Sequence, residues 1–226
     1  MITAEMITVI IPAYNAEKYL EESITSVNKQ LEGTCNIIVV DDGSTDNTKA
    51  VAEKLGCKVL AGEHKGASHA RNQALHAFDT PFLLFLDADD VLTEDALKSL
   101  LGEFNADEEL QAVFGMAEDF ISPELSTEQA AGLKPRMEPY GGILPGCALL
   151  KKTVYDQIGD FNEKLSPGEV VDWILRLRTS GLKTKQISKV TLKRRLHMNN
   201  SGRVQKQDEA KNYAAILRAR MRERKK

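Results

Sequence analysis

Apolar residues in the first half of this chain form runs that end abruptly in polar turns. Residues 6–11 and 36–40 are nearly continuous runs rich in β-branched side chains, and residues 82–86 form a third apolar run. Runs of this kind are typical of strands that are covered on both faces of a parallel sheet. The pattern therefore predicts three buried strands, each followed at once by a polar turn.

Helical periods separate the predicted strands. Asn15 is a suitable N-cap for a first helix, whose apolar face carries Leu20, Ile24, Val27 and Leu31. A second helix is predicted to begin within residues 44–46, a short strand follows at residues 58–61, and a third helix covers residues 68–78. Alternating strands and helices predict an open α/β sheet, in which ligands bind at the carboxyl ends of the strands. We therefore expect the three polar turns to meet in one crevice.

Length and composition fit a single compact unit. The chain has 226 residues, of which 42% are hydrophobic and 28% charged, so it is neither disordered nor embedded in a membrane. No apolar run approaches the roughly 20 residues that cross a bilayer, and residues 1–6 lack the basic region of a secretory signal. The three cysteines are odd in number and widely spaced, which favours reduced thiols. We expect a cytoplasmic protein.

The net charge of −3 conceals a basic C-terminal end. Residues 218–226 contain six basic residues and one acidic residue, at the end of a predicted helix and tail over residues 207–226. Such an end can contact an anionic membrane or an acidic partner, or it can pack on the domain and leave a solvated tail. No nucleic-acid motif accompanies the basic residues, so we expect no nucleic-acid partner.

Three carboxylates follow the third apolar run within four residues. They belong to Asp87, Asp89 and Asp90. Carboxylates this close repel one another and shift each other's pKa unless they are well solvated or neutralised by a cation. A short acidic turn has the same composition, but the position at the end of a buried strand makes this cluster a candidate metal site.

Four segments, in order, carry a family resemblance. They are residues 9–20 (VIIPAYNAEKYL), 39–46 (VVDDGSTD), 70–72 (ARN) and 86–90 (LDADD). Together they resemble the successive signatures of family 2 glycosyltransferases with the GT-A fold. Residues 146–150, 158–161 and 168–177 are similar to acceptor-side segments of that family, so the resemblance covers about residues 6 to 200.

The resemblance implies both a fold and an activity. The implied fold is α/β GT-A, a Rossmann-like, open and mostly parallel sheet flanked by helices, with an acceptor-side half and a C-terminal helix. We expect one domain over residues 1–226, with a nucleotide-sugar-binding half at residues 1–104 and an acceptor half at residues 105–206. The implied activity is inverting transfer of a sugar from a nucleotide diphosphate sugar, a UDP-sugar by the family pattern.

Donor contacts are implied for several residues of the first half. Tyr14 can lie along the base, and Asp42 can accept a hydrogen bond from a pyrimidine imide N–H. Arg71 can reach the diphosphate with its planar guanidinium. The competing interpretations are packing for Tyr14, turn formation or capping for Asp42, and a surface salt bridge for Arg71. The complete set of donor contacts implied by the resemblance is Pro12, Ala13, Tyr14, Asp42, Arg71, Asp87 and Ala88.

The metal assignment follows from the same resemblance. Asp87 is then the ribose contact, and Asp89 is the main ligand of Mn²⁺ or Mg²⁺, which stabilises the departing diphosphate. His197 lies in a segment similar to a C-terminal motif of some members and can complete the metal shell or touch a phosphate. A structural role is open for His197, and the adjacent Arg194 and Arg195 can equally bind phosphate.

The acceptor side departs from the family pattern. Inverting members carry Gly-Glu-Asp at the position of Gly168, and the Asp is the base that deprotonates the acceptor. This chain has Val170 there, so Glu169 or Asp172 is the candidate catalytic base. Alternatively the acceptor is a thiol, which needs less help than an alcohol. Asp172 also has a structural interpretation, because it can pair with Arg176 one helical turn away.

Two classes of function remain open. The first is a working glycosyltransferase whose acceptor is a glycan, lipid, peptide or small molecule. The second is a nucleotide-sugar-binding or partner-binding protein that has kept the donor half and lost efficient catalysis, as Val170 suggests. A nucleotidyltransferase fits less well, because a glycine-rich, lysine-bearing phosphate loop is missing after the first strand.

Residues 120–142 show little periodicity, and we expect them to cover or select the acceptor.

Overall fold

The computed structural model describes residues 2–31, 33, 35–141, 144–165 and 168–200. Its N-terminal half alternates strands and helices in the predicted order. The strands are β1 (Ile7–Ala13), β2 (Asn36–Asp41), β3 (Lys58–Ala61) and β4 (Phe82–Phe85), and the helices are α1 (Leu20–Asn28), α2 (Thr48–Lys54) and α3 (Ala67–Leu75). Every pairing among these four strands is parallel.

The second half adds shorter and partly antiparallel elements. Its strands are β5 (Val91–Leu92), β6 (Ala112–Ile121), β7 (Tyr140–Gly141), β8 (Ala148–Lys151) and β9 (Thr184–Leu196). Its helices are α4 (Ala96–Ala106), α5 (Thr127–Ala131), α6 (Lys152–Ile158) and α7 (Glu169–Thr179). Strand β8 runs antiparallel to both β4 and β6, whereas β9 runs parallel to β6.

One sheet extends across both halves, in the order β3-β2-β1-β4-β8-β6-β9-β5, with β7 also paired to β6. Because side chains alternate across a strand, β1 supplies both of its faces. Ile7, Val9 and Ile11 pack in one apolar cluster with α1 and α4, and Ile10 packs in the other with α3 and α7. Helices on both faces explain why β1 is a continuous apolar run, as predicted. The carboxyl ends of β1 and β4 therefore meet at one edge.

The prediction that Asn15 is the N-cap of the first helix is wrong. Asn15 has a positive φ of 49°, and its side-chain oxygen accepts a hydrogen bond from the backbone N–H of Thr45 at 2.8 Å. Helix α1 begins only at Leu20, after a turn. Asn15 therefore ties the turn after β1 to the turn after β2, a long-range contact that a local capping rule does not anticipate.

The segment at residues 120–142 has more regular structure than its sequence indicated. It contains the end of β6, helix α5 with a capping box formed by Ser126 and Gln129, and β7, which pairs back onto β6. Among the described residues, no helix combines the length and the hydropathy that a membrane span requires. The predicted basic helix and tail at residues 207–226 lie outside the described residues.

Candidate active site

A cleft of about 500 Å³ lies where the carboxyl ends of β1 and β4 meet α3, the start of α7 and the end of β9. The residues predicted for the site from the sequence divide into two groups. Those that line the cleft are Pro12, Tyr14, Arg71, Asp87, Ala88, Asp89, Glu169 and His197. Ala13, Asp42 and Asp172 do not border it. The expectation that the polar turns converge on one crevice therefore holds for the turns after β1 and β4.

Arg71 is buried at the floor of this cleft. Its side chain is only 4% exposed, so the surface salt bridge considered from the sequence is wrong. One guanidinium nitrogen, Nη2, donates to Asp87 Oδ1 at 2.7 Å, and Nη1 lies 3.6 Å from Glu169 Oε1. Nε and Nη1 have no hydrogen-bond partner among the described residues. Arg71 thus places a positive charge in the cleft, and a guanidinium is suited to an anion such as a phosphate.

The side chains of Asp89 and His197 are in contact in the same cleft. His197 Nε2 lies 2.8 Å from Asp89 Oδ2, and the side chain of Asn200 donates to that same oxygen at 3.2 Å. The Asn200 side-chain oxygen accepts from the backbone N–H of His197 at 2.7 Å. The ring of Tyr19 packs against the imidazole, with 4.8 Å between the ring centroids. These contacts fix the position of His197 relative to the carboxylate.

A carboxylate oxygen and an imidazole nitrogen at this separation are suitable ligands for Mn²⁺ or Mg²⁺. The described residues contain no group of three or more such ligands. Asp89 and His197 therefore fit a cation that takes its remaining ligands from a phosphate and from water, which is the usual coordination of Mg²⁺ at phosphate sites.

The third carboxylate of the acidic turn has a different environment. Asp90 is buried, and its Oδ1 accepts from the backbone N–H of Arg195 at 2.9 Å. Burial, followed by the nearby charges of Asp89 and Asp87, raises the pKa of Asp90 well above its usual value. Asp90 thus fastens β9 to the acidic turn, and the sequence pattern alone did not separate this role from those of its two neighbours.

Asp42 is buried beside the turn after β1. Its two carboxylate oxygens accept from the backbone N–H groups of Lys65 and Gly66, at 3.1 and 2.7 Å. His64, which precedes Lys65 in the chain, packs its ring against that of Tyr14, with 4.5 Å between the ring centroids. Nδ1 of His64 lies 3.1 Å from the backbone oxygen of Asp42. His64 was missed from the sequence, because it follows β3 in a loop with a positive φ and belongs to no motif.

The backbone also places Ala13 and Asp42 together. The backbone N–H of Asp42 donates to the oxygen of Ala13 at 2.8 Å, which continues the pairing of β1 and β2 into the turns. Ala13 thus contributes its backbone to this region, and its side chain is buried in the core.

The two candidate bases occupy different environments on α7. Glu169 is the first residue of the helix and borders the cleft, with Oε2 accepting from the backbone N–H of Gly168 at 3.0 Å. Asp172 is buried and accepts from Arg176 Nε at 2.9 Å. Val170 borders the cleft beside Glu169 and packs partly against the core. The pairing of Asp172 with Arg176, anticipated as its structural interpretation, is present.

The mixed sheet, with helices on both faces and an acidic turn at its carboxyl edge, has the architecture of a GT-A fold. Residues 8–159 match the family model described as glycosyl transferase family 2. This chain belongs to that family, and the resemblance seen in the sequence is confirmed.

Three relatives illustrate the match. The glycosyltransferase GlyG of Streptococcus pneumoniae is 27% identical over 179 residues, which is 69% of this chain and 60% of GlyG. The crystal structure of S. aureus TarS (residues 1–349) in complex with UDP-GlcNAc superposes with a TM-score of 0.69 and 24% identity, covering 86% of this chain and 60% of that one. A mannosyltransferase from Pyrobaculum calidifontis, in complex with GDP-Man and Mn²⁺, gives a TM-score of 0.71 and 17% identity, covering 94% and 64%.

In each of these three comparisons the chain covers less than two thirds of the relative's own length. Identities below 25% to the solved structures establish the shared fold.

Proposed function

We propose that this chain transfers a sugar from a nucleotide diphosphate sugar, a UDP-sugar, to an acceptor with inversion at the anomeric carbon. The observation that carries the proposal is the buried Arg71, which borders the cleft and lies between Asp87 and Glu169. This arrangement brings the guanidinium of Arg71, which can bind phosphate, next to the candidate base Glu169 in one cleft. The UDP-GlcNAc complex of the neighbouring TarS structure supports UDP as the nucleotide.

The donor half would hold each part of the nucleotide sugar with a different group. Tyr14 is half-exposed at the cleft and offers its ring to the base, with His64 beside it. Asp87 is free to accept a ribose hydroxyl with the carboxylate oxygen that Arg71 does not bind. Arg71, which borders the cleft, would orient the diphosphate with the charge of its guanidinium.

Asp89 and His197 are the residues that would hold a divalent cation, Mn²⁺ or Mg²⁺. Such a cation offsets the charge of the departing nucleoside diphosphate. The Mn²⁺ in the Pyrobaculum mannosyltransferase complex supports this choice of metal. Asn200 and Tyr19 contact His197 and hold the imidazole beside the carboxylate.

Glu169 is the residue we assign as the base that removes the acceptor proton. Its carboxylate borders the cleft, and it is less than 4 Å from a guanidinium that a diphosphate would engage. Inversion follows if the acceptor oxygen attacks from the face of the sugar opposite to the diphosphate. Glu169 begins α7, whereas the groups that would hold the diphosphate come from α3 and from the turn after β4.

The test is calorimetry of the purified chain with UDP and UDP-GlcNAc, in the presence of Mn²⁺ or of a chelator. We expect micromolar binding with Mn²⁺ and a loss of at least about tenfold with the chelator or in Asp89→Asn, since each removes a charge-assisted contact. Asp79→Asn is the control, because this carboxylate is 99% exposed and pairs with Lys152 outside the cleft. Equal affinity of the unaltered chain with Mn²⁺, of the unaltered chain with the chelator, of Asp89→Asn and of Asp79→Asn would remove the metal from the proposal.

The second candidate is a binding protein without efficient transfer, and Val170 favours it by occupying the position of the family base. Release of UDP from UDP-sugars over a panel of glycan, lipid, peptide and small-molecule acceptors separates the two. Tight UDP-sugar binding without turnover on any acceptor favours the binding protein.

We further propose a cytoplasmic location, which suits the three free thiols, and contact of the basic C-terminal end with a membrane.

A further inference from the structure

Two consecutive arginines near the end of β9 have different surroundings. Arg195 is 2% exposed, and its three side-chain nitrogens donate to the backbone oxygen of Asp89, to Ser122 Oγ and to Glu22 Oε2, at 2.8, 3.3 and 2.5 Å. Its guanidinium also lies over the ring of Tyr19. Every donor-bearing nitrogen of Arg195 is thus engaged within the protein, so this arginine fixes β9 to the acidic turn and to α1.

Arg194 is half-buried and borders the cleft. Within the part of the chain that the structure describes, no carboxylate lies within 4 Å of its guanidinium, whereas Arg71, Arg176 and Arg195 each have one. It interacts with the phenol of Tyr140, and the charges of Asp90 and Asp119 act on it from longer distances. Arg194 is therefore a cleft arginine whose positive charge is not matched by a contacting acid.

The surroundings of Arg194 make an anion the fitting ligand. Leu144, Pro145 and Val170 border the same cleft and offer no acceptor side chain, and none of the carboxylates that border it, those of Asp87, Asp89, Asp90 and Glu169, lies within 4 Å of the Arg194 guanidinium. A guanidinium that is partly removed from water and has no acidic partner gains most from a ligand that brings negative charge, and its planar fork matches two oxygens of a phosphate. The Tyr140 hydroxyl donates to Asp119 Oδ1 at 2.6 Å, so its proton is already engaged.

We propose that Arg194 binds a phosphate group in the cleft, at a position separate from the one offered by Arg71. The two arginines come from different elements, β9 and α3, so they can contact different phosphate groups or opposite sides of a diphosphate. The group has two sources, the diphosphate of the donor or a phosphate carried by the acceptor. The first source rests on the proposed function, whereas the second is a property of Arg194 that can be measured without a donor.

The first experiment measures binding to Arg194→Gln, Arg194→Lys and Lys193→Gln by calorimetry. Lys193 is the control, because it is the neighbouring residue of β9, is exposed and pairs with Glu118. The probes are UDP, uridine, and glycerol 3-phosphate added to protein saturated with UDP. Thermal melting of each variant establishes that it is folded.

A donor role predicts that Arg194→Gln weakens UDP about tenfold or more and leaves uridine unchanged, since only UDP carries phosphate. An acceptor role predicts unchanged UDP affinity and a comparable loss of glycerol 3-phosphate binding. Arg194→Lys should retain part of either affinity, because it keeps the charge but not the fork. If Arg194→Gln changes neither UDP nor glycerol 3-phosphate binding, the proposal is overturned.

A second measurement uses the unaltered chain and so does not depend on a variant that folds. Phenylglyoxal modifies accessible arginines, and peptide mass analysis reports the extent at Arg194. Inorganic phosphate or UDP at saturating concentration should slow modification of Arg194 several-fold, and equal modification with and without both anions overturns the proposal. Protection by phosphate together with an absence of UDP binding would reject the proposed function and retain the phosphate site.

Discussion

The carboxylate of Asp172 accepts a hydrogen bond from Nε of Arg176 at 2.9 Å, one turn further along α7. Arg176 also donates to the backbone oxygens of Ile158, the last residue of α6, and of Asp160 in the turn that follows. Trp173 Nε1 donates to the oxygen of Gly159 in the same turn, at 2.8 Å. Asp172 therefore holds the guanidinium that fastens α7 to the preceding turn. This role leaves Glu169 as the acidic residue of α7 that borders the cleft.

The first prediction compares these two residues. Glu169→Gln should keep UDP binding and lower transfer to an alcohol acceptor by roughly 10²–10⁴-fold, which is the usual contribution of general-base catalysis. Asp172→Asn should lower transfer much less but reduce the free energy of unfolding by about 1–3 kcal/mol, because it weakens a partly buried ion pair. Initial rates and urea unfolding provide the two readouts. Asp156→Asn, an exposed carboxylate on α6, is the control for both.

The opposite ranking would reassign the base. If Asp172→Asn abolishes transfer without loss of stability while Glu169→Gln transfers normally, then Asp172 reaches the acceptor in a conformation different from this one. If both variants transfer at the wild-type rate to every acceptor, a carboxylate base on α7 is excluded, and an acceptor that ionises more readily, such as a thiol, becomes the better explanation.

The second prediction concerns Asp42, whose carboxylate binds the backbone of Lys65 and Gly66. If it also accepts the imide N–H of uracil, Asp42→Asn should weaken UDP by about 1.5–3 kcal/mol and ADP by less, because adenine has no imide N–H. Calorimetry with both nucleotides measures the difference, and Asp79→Asn serves again as the control. An equal loss for UDP and ADP would show that Asp42 acts only by holding the loop that carries His64.

The sequence predicted the fold best where the signal comes from residues that are adjacent in the chain. The apolar runs placed β1, β2 and β4, and β3 occupies residues 58–61 as predicted, because a strand covered on both faces has a distinctive composition. Polar residues that follow such strands must lie at the same edge, so the position of Asp87 and Asp89 at the carboxyl edge of the sheet could also be anticipated.

Contacts between distant segments could not be read from the sequence. Asn15 was assigned to a helix start, but it binds Thr45, 30 residues away. His64 meets Tyr14 only because the loop after β3 folds over the turn after β1. The separation of Arg194 from Arg195 depends on which side of β9 each faces and on what packs there. Similarly, the antiparallel insertion of β8 between β4 and β6 has no local signature.

The third prediction concerns the thiols and their pH dependence. Burial raises the pKa of Cys35 and of Cys57 to about 11, and of Cys147 to about 12. An unfolded thiol has a pKa of about 8.5. Since the folded pKa is the higher one, the stabilisation from the neutral thiols is complete below pH ~8.5 and is lost as the pH rises towards 11 or 12. Thermal melting from pH 7 to 11 should show this decline.

Alkylation measures the same effect at each cysteine. At pH 7.5 iodoacetamide should label the native chain at least about 100-fold more slowly than the urea-unfolded chain, because the thiolate fraction falls tenfold for each unit of raised pKa. Peptide mass analysis should find Cys57 labelled before Cys147, since Cys147 is fully buried. Labelling of native and unfolded chains at equal rates would contradict this account of the thiols.

The fourth prediction tests the close contact of β6 with β9. A Cβ added to Gly115 would lie 2.1 Å from Thr191 Oγ1 and 2.4 Å from its Cγ2, and Thr191 is completely buried. Gly115→Ala should therefore lower the free energy of unfolding by roughly 1–3 kcal/mol or more through overpacking. Gly102→Ala should instead raise it by about 0.5–1 kcal/mol, because that position in α4 has open space and alanine favours helix.

The double variant Gly115→Ala/Thr191→Ala distinguishes overpacking from other causes. Removing the Thr191 side chain atoms that the new methyl meets should recover part of the loss, so the two changes should not be additive. Additive losses in urea unfolding would mean that the glycine is needed for the irregular register of β6 and β9 near this residue, and not for the space alone.

The last prediction asks whether the cleft is competent for transfer with the family carboxylate restored. Val170 is the second residue of α7 and borders the cleft beside Glu169, so an Asp there would lie in the first turn of the helix, where its charge is favoured. In a Glu169→Gln background, Val170→Asp should recover transfer at least about tenfold, as expected for a reinstated general base. Thr179→Asp is the positional control, because Thr179 is an exposed residue of the same helix and does not border the cleft. Recovery by Val170→Asp alone would show that the acceptor half still positions an acceptor for attack. If neither variant recovers transfer while both bind UDP as tightly as the parent, then the cleft retains its donor and lacks a productive acceptor geometry, which is the property expected of a binding protein.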